Sequence, residues 1–130
     1  STDSFKYALL TDAYASVGKA TVDPTTASFT EVAAGGNYSS GGNALAGVAW
    51  TIGVVSAGVT ALDFTDIALT KLASSPTTAK TMLINNSTAG NRSYHVIDLT
   101  SDGTTAIDLV NNDLAVAFAA NGTVNITVTA

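Results

Sequence analysis

The chain has 130 residues, enough for one domain with a single hydrophobic core. Charged residues make up only 12%, five Lys and Arg against ten Asp and Glu, giving a net charge of −5 and a pI near 4.3. With Lys6, Lys19, Lys71, Lys80 and Arg92 scattered rather than clustered, this balance argues against nucleic acid as a partner, and the lack of cysteine excludes disulfides, thiolate metal sites and a thiol nucleophile.

Thr, Ser, Asn and Gly stand where charge is usual, and Thr on the exposed face of a strand keeps β propensity high. Such a surface has weak defence against association. It reads either as partly covered by a partner or as the Thr-rich face of a plain β domain. The start, STDSFKYALL, lacks the basic and apolar regions of a signal peptide, and no apolar run approaches the ~20 residues of a membrane span. A product made in a cytosol is expected, with Ser1 following a removed initiator Met.

Taken in order, Ser4–Leu10 alternates as a first strand with Phe5, Tyr7 and Leu9 on one face. Residues 1–12 are read as this strand or as an N-terminal arm. Thr11–Thr26 is irregular, with Gly18 and the turn-favouring Asp23-Pro24, and a short helix fits across Asp12–Val17. Ser28–Val32 reads as a short strand. Ala33–Gly47, AAGGNYSSGGNALAG, has no period, and two Gly-Gly pairs bracket Tyr38. A phosphate-cradling loop needs a Lys at a set offset and a following helix, and neither is present. The stretch is expected to be a flexible surface loop with Tyr38 as an amphipathic anchor.

Val48–Val55 alternates, with Val48, Trp50, Ile52 and Val54 on one face. Trp50, the only tryptophan, is expected in the core, where truncation to Ala would cost ~3–5 kcal/mol. Further strands follow at Val59–Phe64, Ile67–Leu72, Lys80–Asn85 and Tyr94–Leu99, with loops at Ser74–Thr78 and Asn86–Arg92. The C-terminal stretch Ser93–Ala130 carries the strongest signals. Asp102-Gly103 and Asn121-Gly122 are hairpin turn dipeptides, the latter suited to a type I′ turn. Around the second, Leu114, Val116 and Phe118 alternate in one run and Val124, Ile126 and Val128 in the other. Each run is expected to bury one face. Short strands with turns every eight to twelve residues predict an all-β, single-domain antiparallel β-sandwich, jelly-roll-like, over residues 1–130. No repeat of fixed period is present.

Little in the sequence assembles for catalysis. His95 is the only histidine, and Asp98, three residues on, falls on the opposite face of the same strand. No nucleophile elbow is present. Asp98, Asp102, Asp108 and Asp113 flank the C-terminal turns, but they lack the spacing and closing glutamate of a calcium loop and read as turn aspartates bonding local backbone. The Asn-X-Ser/Thr matches at Asn37, Asn86, Asn91, Asn121 and Asn125 are the chance yield of an Asn-, Ser- and Thr-rich chain. No enzyme activity, cofactor or metal is expected.

The segments FKYALLTDAY, FTEVAAGGNYSSGGNALAG, VTALDFTDIALTKL, KTMLINNSTAG, YHVIDL and LAVAFAANGTVNITVTA together resemble small virion proteins of tailed bacteriophages. The best-matching piece is Asn37–Ala46, and the likeness covers most of the chain from Phe29 onward. Phe64 stands where Trp is common, and the N-terminal region is shorter. The resemblance implies a capsid decoration or cement protein on the virion surface, made in the bacterial host cytoplasm. Its partners would be the major capsid protein and itself, as a homo-oligomer with a trimer favoured, and neither nucleic acid nor membrane. The candidate contacts are Phe5, Tyr7, Tyr38, Gly41 and Gly42. The alternative is a tail, neck or head-fibre component, or a carbohydrate-binding β-sandwich using Tyr7, Tyr14, Tyr38 and Tyr94 to stack on sugars.

Overall fold

A computed structural model describes residues 3–17, 24–52, 60–119 and 124–130. The alternation at the N-terminus does form a strand, β1 (Phe5–Leu10). Phe5, Tyr7 and Leu9 enter the larger of two hydrophobic clusters, while Ala8 and Leu10 enter the smaller one on the other face. A strand apolar on both faces belongs inside a sheet, and β1 lies there. With β2 (Asn43–Leu45), β6 (Thr81–Asn86) and β7 (Arg92–Asp98) it makes a four-stranded antiparallel sheet of order β2-β1-β6-β7. The N-terminal arm is thereby corrected: residues 5–10 are an interior strand, and Ser1 and Thr2 lie outside the described residues.

The remaining strands are β3 (Ala49–Ile52) and β4 (Thr60–Asp63), paired with each other, and β5 (Ile67–Leu69), β8 (Asp113–Phe118) and β9 (Val124–Thr129), in the order β5-β8-β9. Strand outweighs helix by 44% to 6%, which makes the fold all-β. The large cluster draws Met82, Ile84 and Ile97 from the four-stranded sheet and Ile67, Leu69, Leu114 and Val116 from the three-stranded one, so the two sheets share one core. The smaller cluster closes the outer face of the large sheet. There Val17 of the single-turn helix α1 (Tyr14–Val17) packs on Leu10 and Leu83, with Phe29 and Val96 at its margin.

Two local expectations change, and a third holds. Residues 28–32 form no strand, because only Glu31 bridges to Leu10, after a 3-10 turn at Thr26–Ser28. Asp102-Gly103 does not turn a hairpin. The Asp102 carboxylate instead accepts from the Thr104 and Thr105 N–H groups, closing the bend locally, while β7 and β8 go to different sheets. The β8–β9 hairpin forms with Phe118 opposite Val124, Val116 opposite Ile126 and Leu114 opposite Val128; its Asn121-Gly122 turn lies outside the described residues.

Candidate interaction surface

The Gly-rich stretch is built around a half-buried carboxylate lock. Glu31 reaches it from the bridge to Leu10, and its Oε1 accepts from the Tyr38 hydroxyl at 2.6 Å and from the N–H groups of Gly41 and Gly42 at 2.8 and 3.2 Å. The Tyr38 oxygen in turn accepts from Leu9 N–H at 2.9 Å. Burial first, and then donation to the Glu31 carboxylate, push the Tyr38 hydroxyl well above the ordinary phenol value. Tyr7 is raised as well, by burial, against an opposing hydrogen bond from the Asn43 amide. Gly42 takes φ +81° with its α-carbon against the chain, where a Cβ would stand 2.6 Å from the Tyr7 carbonyl oxygen.

Phe5, Tyr7 and Tyr38 are therefore core side chains, and Gly42 is buried beneath them. Of the five candidate contacts only Gly41 is exposed. The correction has one cause: an aromatic ring flanked by glycines in a loop has the signature of a surface anchor, but here the glycines let the backbone fold close enough to bury the ring. The same burial removes Tyr7 and Tyr38 from any sugar-stacking face and leaves Tyr14 and Tyr94 exposed.

Three of the four C-terminal aspartates are spent on local turns, as expected, and the fourth, Asp113, instead ties its strand to Lys71 far along the chain. Asp98 accepts from Thr100, Asp102 from Thr104 and Thr105, Asp108 from Val110 and Asn111, and Asp113 from the Lys71 N–H. Hydrogen bonds from Thr105 hold the Asp102 carboxyl well below the usual carboxylate range, and the Asn111 amide lowers Asp108. Among the described residues no three His, Cys, Asp or Glu side chains gather as a metal site would require, and no helix is long and apolar enough to cross a membrane. A recess of about 190 Å³ lined by Tyr7, Leu45, Asp66 and Ile67, among others, holds a carboxylate already engaged by the Phe118 N–H at 2.9 Å. His95 is exposed on β7.

Exposed apolar surface is concentrated elsewhere. Trp50 is 48% exposed, which corrects the core position expected for it. Among the described residues its strand β3 pairs with β4 alone, and across that pair Trp50 stands opposite Leu62, itself only partly buried. Tyr94, also 48% exposed, is the extra residue of a β-bulge, because Ile84 pairs with His95 and Asn85 with Ser93. Freed from pairing, its ring sits edge-on to Phe5 at 5.6 Å, and it joins a chain of rings through Phe64 to Phe118.

The largest departure is β9. Cross-strand partners share a face, so Val124, Ile126 and Val128 point to the same side as Phe118, Val116 and Leu114. Val116 and Leu114 are fully buried, yet Ile126 and Val128 are 37% and 44% exposed. The period is the one expected, but of the β9 stripe only Val124 packs against the core, and Ile126 and Val128 overhang it. The other edges of the two larger sheets carry protection: β2 and β5 have three residues each, and β7 has a bulge, Arg92 and a bridge to Thr25. β9 has six residues, VNITVT, with no charge, no proline and an unbroken register.

No family model, curated protein or solved structure matches this chain.

The residue reading missed Trp50 and β9 for one reason. Period 2 tells which side chains share a face, and it is silent on how far the opposing sheet extends. The signal that could have marked β9 was the lack of any charged residue from Leu114 to Ala130.

Proposed function

We propose that this chain is a structural protein of a bacteriophage virion, a decoration or cement protein that binds the outer capsid lattice and stabilises it by association. The observation that carries the reading is the uncovered apolar stripe of β9 at an undefended sheet edge. A strand of this kind stabilises an assembly by lending backbone hydrogen bonds and apolar area to a neighbour. The low charge of the surface, the likeness of Asn37–Ala46 and the flanking segments to virion proteins, and the engagement of the turn aspartates by local backbone support the same reading. Its partners are the major capsid protein and further copies of itself, and its place is the capsid surface. Cryo-electron microscopy of the particle tests it: density for this chain on the outer shell is expected, and a shell without it overturns the proposal.

A carbohydrate-binding role at a tail, neck or head fibre is the second reading. The exposure of Trp50 and Tyr94, rings suited to stacking on sugars, favours it. Binding on a glycan array, lost in Trp50→Ala, would move the assignment there.

A further inference from the structure

The outer edge of β9 has no neighbouring strand among the described residues, and β8 occupies its inner edge along the whole of Val124–Thr129. The strand also reads alike in both directions: Val124-Asn125-Ile126-Thr127-Val128 has apolar residues at its ends and centre and polar residues between. We propose that β9 is a self-complementary seam, at which a second copy of this chain adds antiparallel about a two-fold axis at Ile126. The inference rests on the reading of the chain as a protein that works by association, and it names the partner at this edge.

Register decides the geometry. A two-fold at Ile126 sets Ile126 against itself, Val124 against Val128 and Asn125 against Thr127, so the stripe of one copy continues into the stripe of the other. A slip of one residue would oppose Ile126 with Thr127 and turn the apolar row of one copy toward the polar row of the next. A two-fold at Thr127 keeps the faces but leaves Val124 opposite Ala130, so the Ile126 axis gives every member of the stripe a branched apolar partner.

Charge selects the occupant. The chain carries −5 overall, and two copies repel wherever their carboxylates meet. β9 has no charged residue, so at this edge the copies meet without opposition, and a basic partner gains nothing here from its charge. The joined sheets run β5-β8-β9-β9-β8-β5, burying both unprotected edges at once. A two-fold contact uses the same patch on both copies, so the unit is a dimer rather than the trimer expected from the sequence.

Sedimentation velocity of the purified chain is the test, with Ile126→Lys, Ile126→Asp and Ile126→Cys as variants. Ile126 is partly exposed, so the substitutions spare the core, and thermal melts of each variant check that it folds. A dimer is expected for the unaltered chain. Lys or Asp alone should weaken it about tenfold or more by setting like charges face to face, and an equimolar mixture of the two should restore it. Ile126→Cys, the only cysteine present, should cross-link copy to copy on oxidation, which also serves if a charged variant fails to fold. A monomer, a trimer, variants that dimerise as the unaltered chain does, or a mixture that stays apart would each overturn the seam. A monomer that still binds capsids would hand the edge to a capsid strand and leave the decoration role standing. A dimer missing from particles would do the reverse.

Discussion

The Tyr38 hydroxyl stands between the Leu9 N–H of a central strand and the only glutamate of the sequence, the first contact buried and the second partly so. Removing that one oxygen strips the buried Leu9 N–H and the half-buried Glu31 carboxylate of a partner. Tyr38→Phe should therefore cost ~1–3 kcal/mol in denaturant unfolding, and Glu31→Ala, which also releases the Gly41 and Gly42 N–H groups, about 2–3 kcal/mol or more. The pH dependence has a definite sign. The fold favours the protonated phenol, so its contribution is whole below the ordinary value of 10.0 and is lost as pH rises above it. Unfolding followed from pH 9 upward should show that loss, and Tyr38→Phe should flatten it, with Tyr7 supplying the remainder. On the acid side the lowered Asp102 stabilises the fold above its ordinary 3.8, and the contribution falls away as pH drops below that value. Gly42→Ala combines a disfavoured positive φ with a collision against the Tyr7 carbonyl and should cost more than ~1 kcal/mol. Tyr38 and the paired glycines stood out in the sequence. Their direction did not, because it depends on Glu31, whose register beside Leu10 is a long-range fact.

Among the elements, the two hairpin strands show what a period carries and where it stops. Leu114 and Ile126 have the same spacing in their runs, yet one is 1% exposed and the other 37%. Leu114→Ala should cost ~2–5 kcal/mol by leaving a cavity, whereas substitution at Ile126 should act on association more than on folding. Trp50 is the parallel case. At about half exposure its truncation should cost about 1–2 kcal/mol in place of the ~3–5 of a buried indole. As the only tryptophan it reports directly: its fluorescence should be red-shifted and open to acrylamide quenching, and a blue, protected emission would contradict the exposure. The strands β1, β6, β8 and β9 were legible to within a residue or two, since each has at least three alternating or continuous apolar positions. Asp102-Gly103 misled because Thr104 and Thr105 satisfy the Asp102 carboxylate, so the turn closes on itself rather than joining two paired strands.

For the whole molecule, the apolar edge strand is itself free of charge. β9 itself carries none of the charge, so association through that strand should respond weakly to sodium chloride, strengthen in sulfate and weaken on cooling, as expected of apolar burial. Sedimentation repeated across salt and temperature reads this directly, and a steep loss with sodium chloride would point to ion pairing instead. The all-β, antiparallel character was plain from strand length and turn frequency. The grouping of strands into sheets was not, since the pairing of β1 with β6 is set by core geometry rather than by any local pattern.

The interior position of β1 also has a consequence in time. Phe5–Leu10 is made before its partners, and one of its two neighbours, Thr81–Asn86, is about 70 residues away, which at ~5–20 residues per second is roughly 4–14 s of synthesis. For that interval a strand apolar on both faces waits without β6, and the nascent chain is most open to chaperones, proteases and stray pairing while it is still being made.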